Sequence, residues 1–339
     1  MSLASYALAA GAVLGVMAAI QKICSVIDAR TFPPPGRFVD IPNGRMHVKQ
    51  MGSGSPAIVL EAGIAASTLN WSLLQPELAR HGATYSYDRA GFGWSVARTG
   101  GCSLVDIVTN LHETIAALNL PRPYILVGHS FAGLILREYA IRFADEIAGI
   151  VFIDPLTPEE WLAPTRSQRW ILRRGIWFSR AGGVLSTFGI VRACLWLLQR
   201  GNSSTPRGVL NMFGSKATET LTRIFRELTK LPPEVMRVIR ARWSNPHFFW
   251  TMADYIHSLP RCSAEMMDRN IPKGIPVTVL SGAHQSQERL REHAAIAAHS
   301  TKGRHLVAEK GAHWIHLDQP ELVVEAVAEM VGNWYGTKA

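Results

Sequence analysis

The chain opens on an unbroken apolar stretch: residues 2–21 carry no charged side chain and read LASYALAAGAVLGVMAAI through their middle. A helix of about 20 such residues spans a hydrocarbon layer of about 30 Å. Pro33-Pro34-Pro35-Gly36 then breaks any continuing helix. Residues 38–41 and 46–51 alternate apolar with polar positions about Asn43-Gly44, which predicts a hairpin turning on those two residues. Further on, short apolar runs at 57–61, 84–87, 124–128, 149–154, 276–281 and 304–309 alternate with stretches of helical period. Strands apolar on both faces and separated by helices predict a mostly parallel sheet covered on both sides, an α/β fold. Between 155 and 270 the strand signal disappears and Trp, Arg and Leu recur in long helical patterns, which predicts a helical lid inserted between two strands. The expected divisions are a helix and linker start at 1–30, a core in two parts at 31–154 and 271–339, and the lid at 155–270.

The length of 339 residues and an apolar fraction of 47% suffice for one large domain with an insertion. Cys24, Cys102, Cys194 and Cys262 lack the close spacing of metal or redox motifs, so they are expected to be buried thiols. The net charge of +9 is unevenly placed. Residues 155–270 hold 17 Lys and Arg against 8 Asp and Glu, so the whole excess lies in the insertion. That asymmetry points to an anionic partner, such as a phospholipid surface or a carboxylate-bearing substrate; no nucleic-acid-binding motif accompanies it. Within the insertion, Trp170, Trp177, Phe178, Phe188 and Trp196 stand among Arg173, Arg174, Arg180 and Arg192. Two readings compete: aromatic packing of lid against body, or a surface for a membrane or for substrate access.

The N-terminal stretch has two readings as well. No Lys or Arg precedes it and no clear small-x-small site follows, which favours a retained membrane anchor over a cleaved secretory signal. Lys22, Arg30 and Arg37 follow it, and the positive-inside tendency would leave the globular part on the cytoplasmic face.

The chemistry centres on Tyr124-Ile-Leu-Val-Gly-His-Ser-Phe-Ala-Gly133, an apolar strand running into Ser130 and then into a helical pattern over 134–143. A serine on so tight a strand-to-helix turn is strained and lifted clear of the sheet, so the residues two positions away must be small. Gly128 and Ala132 meet that need. The helix N-terminus beyond it offers backbone N–H groups where negative charge would develop.

In this segment, and over roughly residues 38–336, the chain resembles the α/β-hydrolase family. Asp88-Arg89-Ala90-Gly91-Phe92-Gly93-Trp94-Ser95 and the late Ala312-His313, followed by Leu317-Asp318-Gln319-Pro320-Glu321, carry the resemblance further. It implies an eight-stranded, mostly parallel sheet with helices on both faces, and catalytic groups on loops at the strands' C-terminal ends. Members with serine at the turn mostly cleave esters, thioesters or amides; those with aspartate there, the epoxide hydrolases and haloalkane dehalogenases, are disfavoured by Ser130.

A serine hydroxyl needs an imidazole to take its proton. The resemblance assigns that role to His313 rather than the nearby His316, and the chain order agrees. His129 adjoins Ser130 but points away on a sharp turn, so it is read as structural or cavity-lining. The acid is less direct, because His284 or Gln285 stands where the family usually carries aspartate. Some branches take the acid from the end of the strand after the nucleophile, which here is Asp154; Glu288 is the alternative. Asp318 reads as a helix cap before Pro320. For the oxyanion, Phe131 N–H is one expected donor and Ile64 N–H the other, with Gly63 allowing close approach.

No metal, nucleotide or other cofactor is called for. The expected function is a serine esterase, membrane-associated through its N-terminal helix, acting on a small-molecule ester through an acyl-enzyme. Thioesterase, lactonase or amidase chemistry would use the same residues, and a non-catalytic hydrolase-fold binding protein at the membrane is the rival from another class.

Overall fold

A computed structural model of the chain describes residues 2–97, 102–199 and 226–336. The chain divides into two compact units, Met1–Pro34 with Arg173–Ala253, and Pro35–Leu172 with Asp254–Ala339.

The second unit holds the sheet. Strands β1 (Arg37–Ile41) and β2 (Gly44–Met51) pair antiparallel, and β2 continues antiparallel onto β4 (Thr84–Tyr87). From there every pairing is parallel, through β3 (Ile58–Glu61), β6 (Tyr124–His129), β7 (Ile147–Ile153), β8 (Val277–Gly282) and β9 (Gly303–Ala308). The resulting order is β1-β2-β4-β3-β6-β7-β8-β9. This is the mostly parallel eight-strand path that the alternating pattern implies, with one addition. A two-residue strand, β5 (Val96–Ala97), pairs antiparallel with the start of β2.

The hairpin turn differs from expectation by one residue. Ile41 pairs with Gly44, so the corner is Pro42-Asn43 rather than Asn43-Gly44. Proline's fixed φ suits the first corner position of a turn, which displaces Gly44 into the strand.

β3, β6 and β8 are buried along their whole length because both faces are covered. On one face Ile58, Leu60, Ile125, Val127, Val151 and Ile153 pack with Val323, Val327 and Met330 of the C-terminal helix Pro320–Gly336. That helix lies so close that a Cβ on Gly149 would come within 2.3 Å of Met330 Sδ. The opposite face carries α2 (Leu104–Ala117) and α3 (Ala132–Arg142). Each fully buried Ile, Leu or Val contributes about 1.5–3 kcal/mol, which makes this two-sided core the main source of rigidity under the strands' C-terminal ends.

The first unit is helical. It contains α1 (Leu3–Thr31), most of α4 (Arg166–Thr187), α5 (Ile190–Gln199), α6 (Pro233–Trp243) and the start of α7 (Pro246–Met266). Along α1 only Gln21 is buried. Its Nε2 donates to Ser244 O at 2.7 Å, and its Oε1 accepts from Arg192 Nε at 2.8 Å. Arg192 Nη1 also reaches Asp28 Oδ2 at 2.6 Å, so the last third of α1 is fastened to α5 by one guanidinium.

Among the described residues the chain between β7 and β8 is helical and without strands, while its stretch 200–225 lies outside the described residues. Two of its tryptophans are well exposed, Trp170 at 48% and Trp177 at 60%. The bulky phenylalanines Phe178 and Phe188 are half-buried instead.

Candidate active site

β6 delivers the chain to Ser130 in a left-handed conformation, φ +56°, and α3 begins two residues later. A non-glycine residue there carries about 1–3 kcal/mol of backbone strain, so the surroundings must hold it. Ser130 N–H donates to Ile153 O at 3.0 Å, and Ser130 O accepts from Gly133 N at 2.8 Å and Leu156 N at 2.7 Å. The small neighbours are obligatory. A Cβ on Gly128 would come 2.5 Å from Leu136 Cδ1 and 2.8 Å from Ala132 Cβ, and one on Gly133 would meet Leu156 O at 2.6 Å.

Asp154 caps β7, also at positive φ (+43°), with its side chain fully buried. Its Oδ1 accepts from Gly282 N at 3.1 Å; its Oδ2 accepts from Gln285 Nε2 and lies against His313 Nδ1, each at 2.6 Å. Burial alone pushes this carboxyl's pKa up. The hydrogen bond and charge of His313, then Arg289 at 3.9 Å and the Gly282 N–H, outweigh it and pull the group below the ordinary aspartate range. A carboxylate only accepts, so Nδ1 of His313 carries a hydrogen, which in the neutral tautomer leaves the lone pair on Nε2.

Glu288, the alternative acid, is exposed on the first turn of the helix Gln287–His299. Gln285, which with His284 is one of the two residues expected where the family's usual acid would be, donates to Asp154. Asp318, expected as a helix cap, accepts the N–H of Ala312 at 2.8 Å and ties down the loop that carries His313.

His129 Nε2 lies 2.9 Å from His313 O and must donate to it, which orders the same loop from the other side. Its ring is 4.7 Å from that of His313 and 4.5 Å from that of His316. Burial, reinforced by the neighbouring imidazoles, holds His129 well below the usual histidine range, and burial brings His316 down to about 3. Both are therefore neutral fixtures at physiological pH.

The loop after β3 is shaped from beneath. Arg89, buried, donates to the carbonyls of Ala62 and Gly63 and to the carboxylate of Glu61, which also accepts from Tyr87. With its carbonyls engaged there, the loop brings Gly63 so close that a Cβ would sit 3.0 Å from His129 Nδ1 and 3.4 Å from Ser130 Cβ. Among the described residues, neither Phe131 N–H nor Ile64 N–H donates to another group. Asp88 organises the adjoining turn, accepting from Thr68 N at 2.7 Å and Trp94 N at 3.0 Å and pairing with His47 Nδ1 at 2.9 Å. The motif 88–95 was visible in the sequence; that Arg89 supports the 61–64 loop was not, because its partners lie on a different strand.

Ser130, His313, Gly63, Ile64, Trp71 and Trp314 line one cavity of about 100 Å³. A model of the Alpha/beta hydrolase family matches residues 58–326. Among curated relatives, the uncharacterized protein YqjL of Bacillus subtilis is 31% identical over 104 residues, covering 31% of this chain and 41% of that protein. The 2-hydroxy-6-oxo-2,4-heptadienoate hydrolase of Pseudomonas putida is 30% identical over 122 residues, 35% of this chain and 44% of that enzyme. The chain thus spans under half the length of these relatives. A thermophilic esterase from Thermogutta terrifontis, solved with malate bound, superimposes with a TM-score of 0.60 at 19% identity, over 88% of this chain and 99% of that one.

Proposed function

The chain belongs to the alpha/beta hydrolase family, and we propose that within it this protein is a serine hydrolase that cleaves a carboxylic ester through an acyl-enzyme. The observation that carries the reading is the 2.6 Å contact between a buried, ionised Asp154 and His313 Nδ1, with Ser130 and His313 lining the same cavity.

In this reading the Nε2 lone pair of His313 takes the Ser130 proton as Oγ attacks the ester carbonyl. Asp154 stabilises the imidazolium without itself taking the proton. The tetrahedral oxyanion is received by the N–H groups of Phe131 and Ile64. Collapse breaks the ester C–O bond, His313 returns the proton to the departing alcohol, and an acyl-serine remains. Water then attacks the acyl carbon with His313 again as base, which frees the acid and restores the hydroxyl. The small cavity, bounded by Ile64, Trp71 and Trp314, favours a small to medium apolar group next to the carbonyl.

The divisions read from the sequence belong to the same proposal: 31–154 and 271–339 form the hydrolase core, and the 155–270 insertion serves as a lid that excludes water. The helix α1 acts as a retained membrane anchor with the core on the cytoplasmic face. Its length of 29 residues and its exposed apolar surface support insertion, and the contacts of Gln21 and Asp28 with Arg192 support retention, since cleavage would strip that guanidinium of both partners.

Labelling with a fluorophosphonate probe tests the chemistry. Wild type is expected to label at Ser130 and to turn over p-nitrophenyl esters with a preference for short to medium acyl chains. Folded protein that stays unlabelled would overturn the hydrolase reading in favour of a binding protein. For the anchor, the chain should stay with membranes through carbonate extraction.

A further inference from the structure

The helix α4 turns outward what a core helix would bury. In its stretch within the first unit, Arg173, Trp177, Arg180 and Val184 follow one another at spacings of three and four and so share one face. Trp177 is 60% and Val184 49% exposed, and both arginines are exposed. The opposite side is small and buried: Ser179, Gly182, Gly183 and Ser186. It is small because aromatic rings press on it, for a Cβ on Gly182 would meet Phe249 at 2.6 Å and one on Gly183 would meet the indole of Trp250 at 2.7 Å. Trp250 itself stays 41% exposed, adding a second indole against Gly183, the residue before Val184. The whole of α4 contains no Asp or Glu.

Indole beside guanidinium, with no acidic residue interposed, is the composition of a helix lying in a headgroup layer: tryptophan prefers the membrane–water boundary and arginine pairs with lipid phosphate. We infer that the face Arg173–Trp177–Arg180–Val184, with Trp250, rests in the headgroup layer of a bilayer containing anionic phospholipid. Charge complementarity selects the anionic lipid. The apolar helix α1 belongs to the same compact unit and carries Leu8, Val13, Val16 and Ile20 exposed. The inference rests on the reading of α1 as a membrane helix and is independent of the ester chemistry.

The α1 sequence contains no tryptophan, so quenching of tryptophan emission by brominated lipid reports the rest of the chain and not the anchor. The full chain would be reconstituted into phosphatidylcholine bilayers and into phosphatidylcholine–phosphatidylglycerol bilayers, each carrying brominated acyl chains. Wild type should be quenched more strongly in the anionic bilayer. Trp177→Phe with Trp250→Phe should lose most of that quenching, and Arg173→Gln with Arg180→Gln should erase the difference between the two lipids. A wild-type far-UV circular dichroism spectrum and an unchanged melting temperature would show that these surface variants are folded. Equal wild-type quenching in both lipids, or undiminished quenching in the tryptophan variant, overturns the inference. Carbonate-resistant retention reads α1 separately: a retained chain with unquenched indoles faults the α4 face alone, and a chain that leaves the bilayer faults the anchor and with it the inference.

Discussion

Asp154 is buried yet keeps its charge, because a backbone N–H, the Gln285 amide and His313 all point at two oxygens. Replacing one of those oxygens by an amide nitrogen would place a donor against His313 Nδ1 and force the imidazole into the wrong tautomer. Asp154→Asn is therefore expected to lower kcat by about 10⁴-fold with KM little changed, whereas Glu288→Gln, on an exposed turn, should leave turnover at the wild-type level. Steady-state kinetics on one p-nitrophenyl ester compares the two directly. Much of this candidate site was readable from sequence, since Ser130 and Asp154 directly follow apolar strands and His313 lies on the loop after β9, where side chains emerge above a parallel sheet. The roles of Gln285 and Asp318 were not readable. Gln285 reaches Asp154 between loops that follow different strands, an order that a linear pattern of apolar positions does not encode, and Asp318 turns back onto Ala312 N within its own loop, a contact that has no periodicity to read.

Among elements, the loop after β3 depends on a single buried cation. Arg89 offsets the charge of Glu61, whose carboxyl burial otherwise pushes up despite Arg89 and Tyr87. Removing the guanidinium leaves an acid without its counter-charge and two carbonyls without their donor. Arg89→Met is expected to destabilise the fold by about 3–5 kcal/mol, measured by denaturant unfolding, and to slow acylation through the slackened 61–64 loop. Burst-phase kinetics would separate that slowing from mere loss of folded enzyme. Elements whose period was long enough could be read in advance: β4 fell at the expected residues, and β6, β7 and β8 shifted by one or two at their ends. The two-residue β5 was invisible because so short a segment has no period. The hairpin corner was misplaced because Asn-Gly and Pro-Asn both make turns, and only the pairing of Ile41 with Gly44 chooses between them.

For the molecule as a whole, buried neutral histidines set the response to acid. His293, hydrogen-bonded between Ser281 and Pro155 O, is brought down to about 4, His316 to about 3, and His129 lies well below the ordinary range, in each case chiefly by burial. Unfolded histidine binds its proton near about pH 6.5, so between there and about pH 4 the unfolded chain holds protons that the folded chain refuses. The histidines' contribution to stability falls as pH falls through that window. The contribution of Asp154 has the same direction but a lower range: it is present above about pH 3.9 and is lost as pH drops through its depressed folded value. The melting temperature should therefore be lower at about pH 5 than at about pH 7.5, with a further drop below about pH 4, in thermal melts at constant ionic strength. The left-handed backbone at Ser130 and Asp154 sets a second trade. Glycine would adopt either conformation without strain, so Ser130→Gly is expected to melt at a higher temperature than wild type while hydrolysing nothing. A screen of variants for heat resistance alone would thus tend to discard the nucleophile first, and inactive sequences would be its hardiest survivors.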